Sequence, residues 1–152
     1  MSTNQKIAEG LRPLPQDSRD FSVGAIFAPI DVSEIPDDFS VGEPKLKDQG
    51  NTDFCSAYAT TSASELQEGV ELSPLWQFAQ IKKLEGDWKA WGANLRTACA
   101  SLVKVGSIEQ VEADQSLTRF QGMRDTMANW ENWPTYFDEK ATAHKKQSYF
   151  SI

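Results

Sequence analysis

Prolines divide this chain into two unlike parts. Five of its seven prolines lie within the first 44 residues, at positions 13, 15, 29, 36 and 44. Each proline removes a backbone donor and blocks the preceding helical turn, so no helix of useful length fits between them. We therefore expect residues 1–43 to form an extended arm, with a short strand at 23–27, and residues 44–152 to form the lobe on which the arm lies.

Helix signals fill the second part. Three predicted helices each end near a glycine, which readily adopts the left-handed conformation that closes a helix, and they span about 55–69, 73–86 and 94–106. Ser73 followed by Pro74, and Asn94, are typical helix starts. Two more helices are predicted over 116–129 and 135–146, and a strand over 147–152. The predicted fold is a mainly α lobe of the α+β class.

The helix at 55–69 is expected to bury one face. The residues of that face recur at helical spacing: Cys55, Tyr58, Ala59, Ser62 and Leu66. On the helix that follows Asn94, Cys99 falls on the apolar face, where a reduced thiol packs as a small hydrophobic group. We therefore expect Cys99 to fill space in the core.

Composition excludes several classes of function. Fifteen basic and 22 acidic residues give a net charge of −7, so we expect no nucleic-acid or membrane partner. Two cysteines and one histidine cannot supply the four ligands of a Cys/His zinc site, and we expect no metal and no cofactor. The polar residues 1–10 lack a secretory signal. Together with the small number of cysteines, this favours an intracellular setting or a particle assembled in the cytoplasm.

The segment 47–59 carries the predicted chemistry. A loop containing Gly50 leads into Cys55, which opens a helix. The positive end of the helix dipole and its unpaired N–H groups favour a thiolate at that position. Gln49, six residues earlier, can aim its amide at an oxyanion beside the sulfur, with the backbone N–H of Cys55 as second donor. Acyl transfer needs this combination of nucleophile and donors.

This segment resembles the active-site segment of the papain-like cysteine peptidases, through Gln49-Gly50, Cys55 six residues after the glutamine, and Ser56-Ala57-Tyr58. Weaker similarities follow further along the chain, at Leu72-Ser73-Pro74, Trp91-Gly92-Ala93 and Lys104-Val105-Gly106-Ser107-Ile108-Glu109. The resemblance covers about residues 44–152 and implies only the helical N-terminal lobe of that family.

The resemblance implies roles for four residues. Cys55 would be the nucleophile and Gln49 the side-chain donor to the oxyanion. Gly92 would lie in the backbone segment that hydrogen-bonds an extended peptide substrate, and Trp91 beside it can line the peptide groove.

Three positions depart from the family pattern, which often has a disulfide cysteine, a glycine and a tryptophan where Thr52, Asp53 and Ser56 stand. A carboxylate at position 53 is expected to disfavour a thiolate at Cys55. The family histidine and asparagine follow the cysteine by about 130–150 residues, which lies beyond residue 152. His144 comes well before that window and is expected to sit at a helix C-terminus.

Three functions stay open. The chain is the nucleophile-bearing lobe of a cysteine peptidase whose base comes from a second lobe or another chain. Alternatively it is an idle lobe that serves as a structural or binding module in a larger assembly such as a virus particle. In the third hypothesis, His144 is the base. A lobe of this kind exposes apolar surface for a second lobe, a partner chain or another copy of itself, and its substrate, if it is active, is a peptide.

Overall fold

Most of the regular structure in the part of the chain that the computed structural model describes lies in four helices and two short strands. Their bounds, in chain order, are β1 (Leu11–Arg12), α1 (Cys55–Glu68), α2 (Pro74–Glu85), β2 (Ala93–Asn94), α3 (Leu95–Lys104) and α4 (Tyr136–Thr142). The described residues are 11–12, 33, 36, 38, 40, 42–43, 45–111, 113 and 136–148. Outside them lie the predicted strand at 23–27, the predicted helix at 116–129 and most of the predicted strand at 147–152.

The predicted starts of the central helices are confirmed. The Ser73 hydroxyl accepts the N–H of Trp76 at 3.2 Å, and Pro74 is the first residue of α2. The Asn94 side chain accepts the N–H groups of Arg96 and Thr97, at 2.9 and 3.4 Å, and so starts α3. These side chains satisfy backbone donors that have no partner within the helix.

The predicted ends are confirmed as well, with one shift. Gly69 closes α1 and Gly86 closes α2, both with left-handed backbone. At the end of α3 the capping position belongs to Val105, and Gly106 follows it. The last predicted helix is shorter than expected, since α4 ends at Thr142.

The predicted buried face of α1 is wrong. Ala59 is exposed, and the other four residues of that face are only partly buried. The face that is buried carries small and polar residues, namely Ser56, Ala57, Thr60, Thr61, Ser64 and Glu65. The Thr60 and Thr61 hydroxyls each donate to a carbonyl one turn back, at 2.9 Å, so they are buried without an unpaired donor.

The core lies on both sides of α2. On one side α2 packs against α1 and α3, and Phe54 stacks on Phe78 with ring centroids 4.0 Å apart. On the other side Trp76 meets Phe137 of α4 edge to face, at 5.3 Å. Since Phe54 immediately precedes α1, its stacking on α2 fixes where α1 begins.

The two strands pair in parallel. Leu11 is in register with Ala93, and Arg12 with Asn94. A strand pair this short contributes little stability by itself, but it places part of the predicted arm against the lobe next to Gly92. The boundary between residues 43 and 44 stays a prediction.

Candidate active site

Cys55 is the first residue of α1, and its side chain is partly exposed. The preceding residue, Phe54, occupies the capping position and makes no side-chain capping bond. The N–H groups of the first turn have no acceptor within an α-helix, and the helix dipole is positive at this end. Cys55 therefore lies at the N-terminus of α1, at a position that solvent reaches in part.

Gln49 lies on a tight loop that precedes α1. Its Nε2 donates to the Thr52 carbonyl at 3.2 Å, and the Thr52 hydroxyl returns a bond to the Gln49 carbonyl at 2.7 Å. Gly50 turns the chain with a left-handed φ of 57°, and its N–H donates to the Asp48 carboxylate at 2.7 Å. An amide nitrogen carries two hydrogens, so the bond to Thr52 leaves the second one for another acceptor.

Tyr58 connects this loop to the helix. Tyr58 lies one turn of α1 after Cys55, and its hydroxyl donates to the Asp48 carbonyl at 3.3 Å. Burial raises the pKa of Tyr58, and the nearby Asp48 carboxylate raises it further. The phenol therefore stays protonated at neutral pH and holds the loop as a neutral donor.

Gly92 is buried, and both of its backbone polar groups are bonded to buried side chains. Its N–H donates to the Asp53 carboxylate. Its carbonyl accepts from Lys82 Nζ at 2.9 Å. The neighbouring Trp91 is 50% exposed. The backbone of Gly92, the residue predicted to bind a peptide, is thus held in place by these two bonds. The strand β2 begins directly after it.

Two residues that sequence reasoning missed, Asp53 and Lys82, build this arrangement. Asp53 stands two residues before Cys55, at a position where the resemblance predicts glycine, and that departure was the signal available in the sequence. Lys82 also donates to the Ala90 carbonyl at 2.9 Å and pairs with Glu85 at 3.4 Å. The structure thereby joins the loop before Cys55 to the segment of Gly92.

His144 lies far from Cys55. Its Nδ1 is 2.5 Å from the Glu68 carboxylate, and Glu68 is the last residue of α1, 13 positions after Cys55. A rise of 1.5 Å per residue separates the two ends of the helix by about 20 Å. Burial raises the pKa of Glu68, but hydrogen bonds from Lys146 and His144 outweigh it and hold that pKa below its usual value.

The two cysteines have different surroundings. Both are free thiols. Cys99 lies on α3, and burial raises the pKa of its thiol, so its thiolate is disfavoured. Because Cys99 is only partly buried, it borders the core rather than filling it.

Two features are absent from the part of the chain that the structure describes. None of the described helices has the length and apolar character needed to cross a membrane. The same residues contain no cluster of three or more histidine, cysteine, aspartate or glutamate side chains placed to hold a metal ion.

No protein-family model matches the sequence, and comparison with curated proteins gives no match. The structure does match the crystal structure of xylellain, a cysteine protease from Xylella fastidiosa, with a TM-score of 0.73 and 19% sequence identity. The match covers 99% of this chain and 60% of that chain. At this level of identity it establishes the fold. The chain has the helical lobe of a papain-like fold, as predicted.

Proposed function

We propose that this chain is the nucleophile-bearing lobe of a papain-like cysteine peptidase. The observation that carries the proposal is the position of Cys55, a partly exposed thiol at the first residue of α1, in a chain with the fold of a cysteine protease. Common ancestry with such proteases accounts for the fold and for the spacing of Gln49 and Cys55 together.

The proposed chemistry is attack by the Cys55 thiolate on a peptide carbonyl carbon. A sulfur–carbon bond forms, and the carbonyl electron pair moves onto the oxygen. That oxyanion accepts from the Cys55 backbone N–H and from Gln49 Nε2, whose second hydrogen serves this purpose. The carbon–nitrogen bond then breaks, the amine takes a proton and leaves, and water hydrolyses the thioester.

The general base comes from outside this chain in the proposal. His144 is bonded to Glu68 at the opposite end of α1, so it is poorly placed to take the thiol proton. The chain spans 60% of the length of xylellain, which leaves room for a second lobe. A second lobe or a partner chain would supply the base. Without either, the apolar surface expected of such a lobe would join two copies of this chain.

The proposed substrate is an extended peptide. The backbone that follows Gly92 forms β2 and pairs with the extended residues Leu11 and Arg12 of the same chain, which supports binding of an extended chain in this region. Since the N–H and carbonyl of Gly92 already have partners and Ala93 pairs with Leu11, a bound peptide would take the place of residues 11–12 beside β2. The half-exposed Trp91 would flank it.

An idle lobe, serving as a structural or binding module in a larger assembly such as a virus particle, is the alternative. The bond from Gln49 Nε2 to the Thr52 carbonyl favours it, because that bond stabilises the loop without any substrate. The two proposals differ in whether Cys55 accepts an acyl group.

Acylation of the isolated chain by a p-nitrophenyl ester of a blocked amino acid tests this difference. Nitrophenolate leaves with its electron pair and needs no general acid, so the thiolate alone can displace it. We expect a burst of one nitrophenolate per chain, a stable thioester on Cys55 by mass spectrometry, and no burst in Cys55→Ser. Gln49→Ala should slow the burst by about 100-fold, while the exposed α1 control Gln67→Ala should not.

Other outcomes overturn the proposal. Absence of a burst from wild-type protein favours the idle lobe. Multiple turnovers of a peptide substrate by the isolated chain would mean that the base lies within residues 1–152.

A further inference from the structure

Two buried charged side chains hold the backbone of Gly92 from opposite sides. Asp53, which is 1% exposed, accepts the Gly92 N–H through Oδ2. Lys82, whose side chain is fully buried, donates to the Gly92 carbonyl at 2.9 Å. Hydrogen bonds to charged groups are stronger than those between neutral groups, and buried charges need such partners. Gly92 is therefore held more firmly than ordinary loop backbone.

Asp53 and Lys82 come from different elements. Asp53 lies on the loop that leads into Cys55, and its carboxylate reaches across 39 residues of sequence to Gly92. Lys82 lies on α2, where its Nζ is also 5.7 Å from the ring centre of Phe78. Phe78 in turn stacks on Phe54, which separates Asp53 from Cys55. The start of α1, the buried face of α2 and the Gly92 segment therefore form one connected cluster.

We infer that Asp53 is a positioning residue that sets the distance between the Cys55 sulfur and the peptide-binding segment around Gly92. This inference rests on the proposed function, since it matters only if a peptide binds beside Gly92. Attack on a carbonyl needs the sulfur and the carbon held within about 3–3.5 Å, and a misplacement of about 1 Å costs on the order of 100-fold in rate. The Asp53 carboxylate is the direct link between the two sites.

Substitutions of Asp53 differ in whether they keep an acceptor for the Gly92 N–H. Asp53→Asn keeps an acceptor oxygen of the same size at the same place, so it preserves the bond to the Gly92 N–H. Asp53→Ala removes the acceptor. Asp53→Gly also removes it and restores the residue that the papain-like resemblance predicts at this position. A role in positioning requires that Asn behaves like Asp and that Ala and Gly do not.

Two alkylating reagents with the same reactive group test this role. Iodoacetamide and a tripeptide amide with an iodoacetyl cap both lose iodide to the Cys55 thiolate, and they differ only in the peptide. The ratio of their alkylation rates at Cys55, followed by mass spectrometry, reports use of the peptide-binding segment. Residues 11 and 12 are the same in every variant, so their pairing with β2 affects all ratios alike.

We expect wild-type protein and Asp53→Asn to prefer the peptide reagent by at least tenfold, with saturation, and Asp53→Ala and Asp53→Gly to lose most of that preference. Full preference in folded Asp53→Ala or Asp53→Gly would overturn the positioning role alone. A wild-type ratio near 1 would instead overturn peptide binding beside Gly92, and with it the proposed function.

Hydrogen exchange in the wild-type protein gives a second test that does not depend on how the variants fold. The Gly92 amide of the wild-type protein should exchange at least 100-fold more slowly than in an unstructured peptide. Rapid exchange of the Gly92 amide in the wild-type protein would also overturn the inference, because the bond to Asp53 would then be open in solution.

Discussion

The Nδ1 atom of His144 lies 2.5 Å from Oε2 of Glu68, at the end of the helix that Cys55 begins. Lys146 bonds the other oxygen of the same carboxylate, and Nε2 of His144 lies 3.8 Å from Glu109. The Lys146 N–H also donates to the Leu102 carbonyl at 3.1 Å. His144 and Lys146 together thus tie the residues after α4 to α1 and α3, which is a structural role.

The bonds that Glu68 accepts from His144 and Lys146 should contribute stability that is lost in acid. The pKa of Glu68 in the folded protein lies below its ordinary value of 4.5. The stabilisation is therefore complete above about pH 4.5 and is lost as the pH falls through the lower, folded-state pKa. Glu68→Gln should flatten the fall in urea midpoint between pH 5 and pH 3. The exposed α4 control Glu139→Gln should leave the wild-type slope, and an unchanged slope in Glu68→Gln would refute this role.

Adding a single methyl group at Gly106 should lower the free energy of unfolding by a large amount. A Cβ at this position would lie 1.9 Å from the Ala141 carbonyl oxygen of α4, and φ is +97°. Strain of about 1–2 kcal/mol and overpacking of about 1–3 kcal/mol should add, so Gly106→Ala should lower the free energy of unfolding by about 3 kcal/mol. Gly86 also has a positive φ but open space around it, so Gly86→Ala should cost only about 1 kcal/mol. Equal losses in urea unfolding would mean that α4 does not pack on Gly106.

The buried ammonium of Lys82 should stabilise the folded protein through its bonds to the segment around Gly92. Lys82→Met removes the ammonium but keeps the apolar stem, and takes away one hydrogen bond each from the Glu85 carboxylate, the Ala90 carbonyl and the Gly92 carbonyl. Loss of one member of a buried pair costs about 3–5 kcal/mol. Its exposed neighbour serves as control, since Lys83→Met should change the unfolding free energy by less than about 0.5 kcal/mol. Wild-type stability in Lys82→Met would show that the ammonium is dispensable.

Asn94 caps α3, so we expect its replacement to lower the stability of the protein through the start of that helix. Asn94→Ala removes the acceptor for the N–H groups of Arg96 and Thr97 and should destabilise the protein by about 1 kcal/mol. Asn94→Ser provides another good capping oxygen and should recover most of that loss. If Ser and Ala behave alike in thermal unfolding, the side chain does not cap α3 in solution.

The sequence predicts helix termini well because capping is local. Ser73, Asn94 and Gly69 act within a few residues of themselves, so their identity is enough. The buried face of α1 was missed because threonine hydroxyls satisfy themselves on carbonyls one turn back and can enter the core, which hydrophobic spacing does not reveal. The bonds of Asp53 and Lys82 to Gly92 were missed because they depend on how α1 and α2 pack.

The candidate site could be located from the sequence only in part. Gln49 and Cys55 lie on one short segment, so local rules place them near each other, and their roles stay predictions. The pairing of residues 11–12 with residues 93–94 could not be predicted, because it joins parts of the chain that are distant in sequence. The prolines predict an extended arm but not the strand with which it pairs. The position of His144 at the far end of α1 likewise needed the fold.

The reactivity of Cys55 in the folded protein tests the central claim most directly. Iodoacetamide should be applied at pH 7 to the folded full chain and to the chain unfolded in urea, with each cysteine followed by mass spectrometry and Cys99 as the internal control. The proposed nucleophile predicts that Cys55 is alkylated faster in the folded chain than in the unfolded chain, whereas Cys99 is alkylated more slowly when folded. Alkylation of Cys55 that is no faster in the folded chain than in the unfolded chain would contradict it.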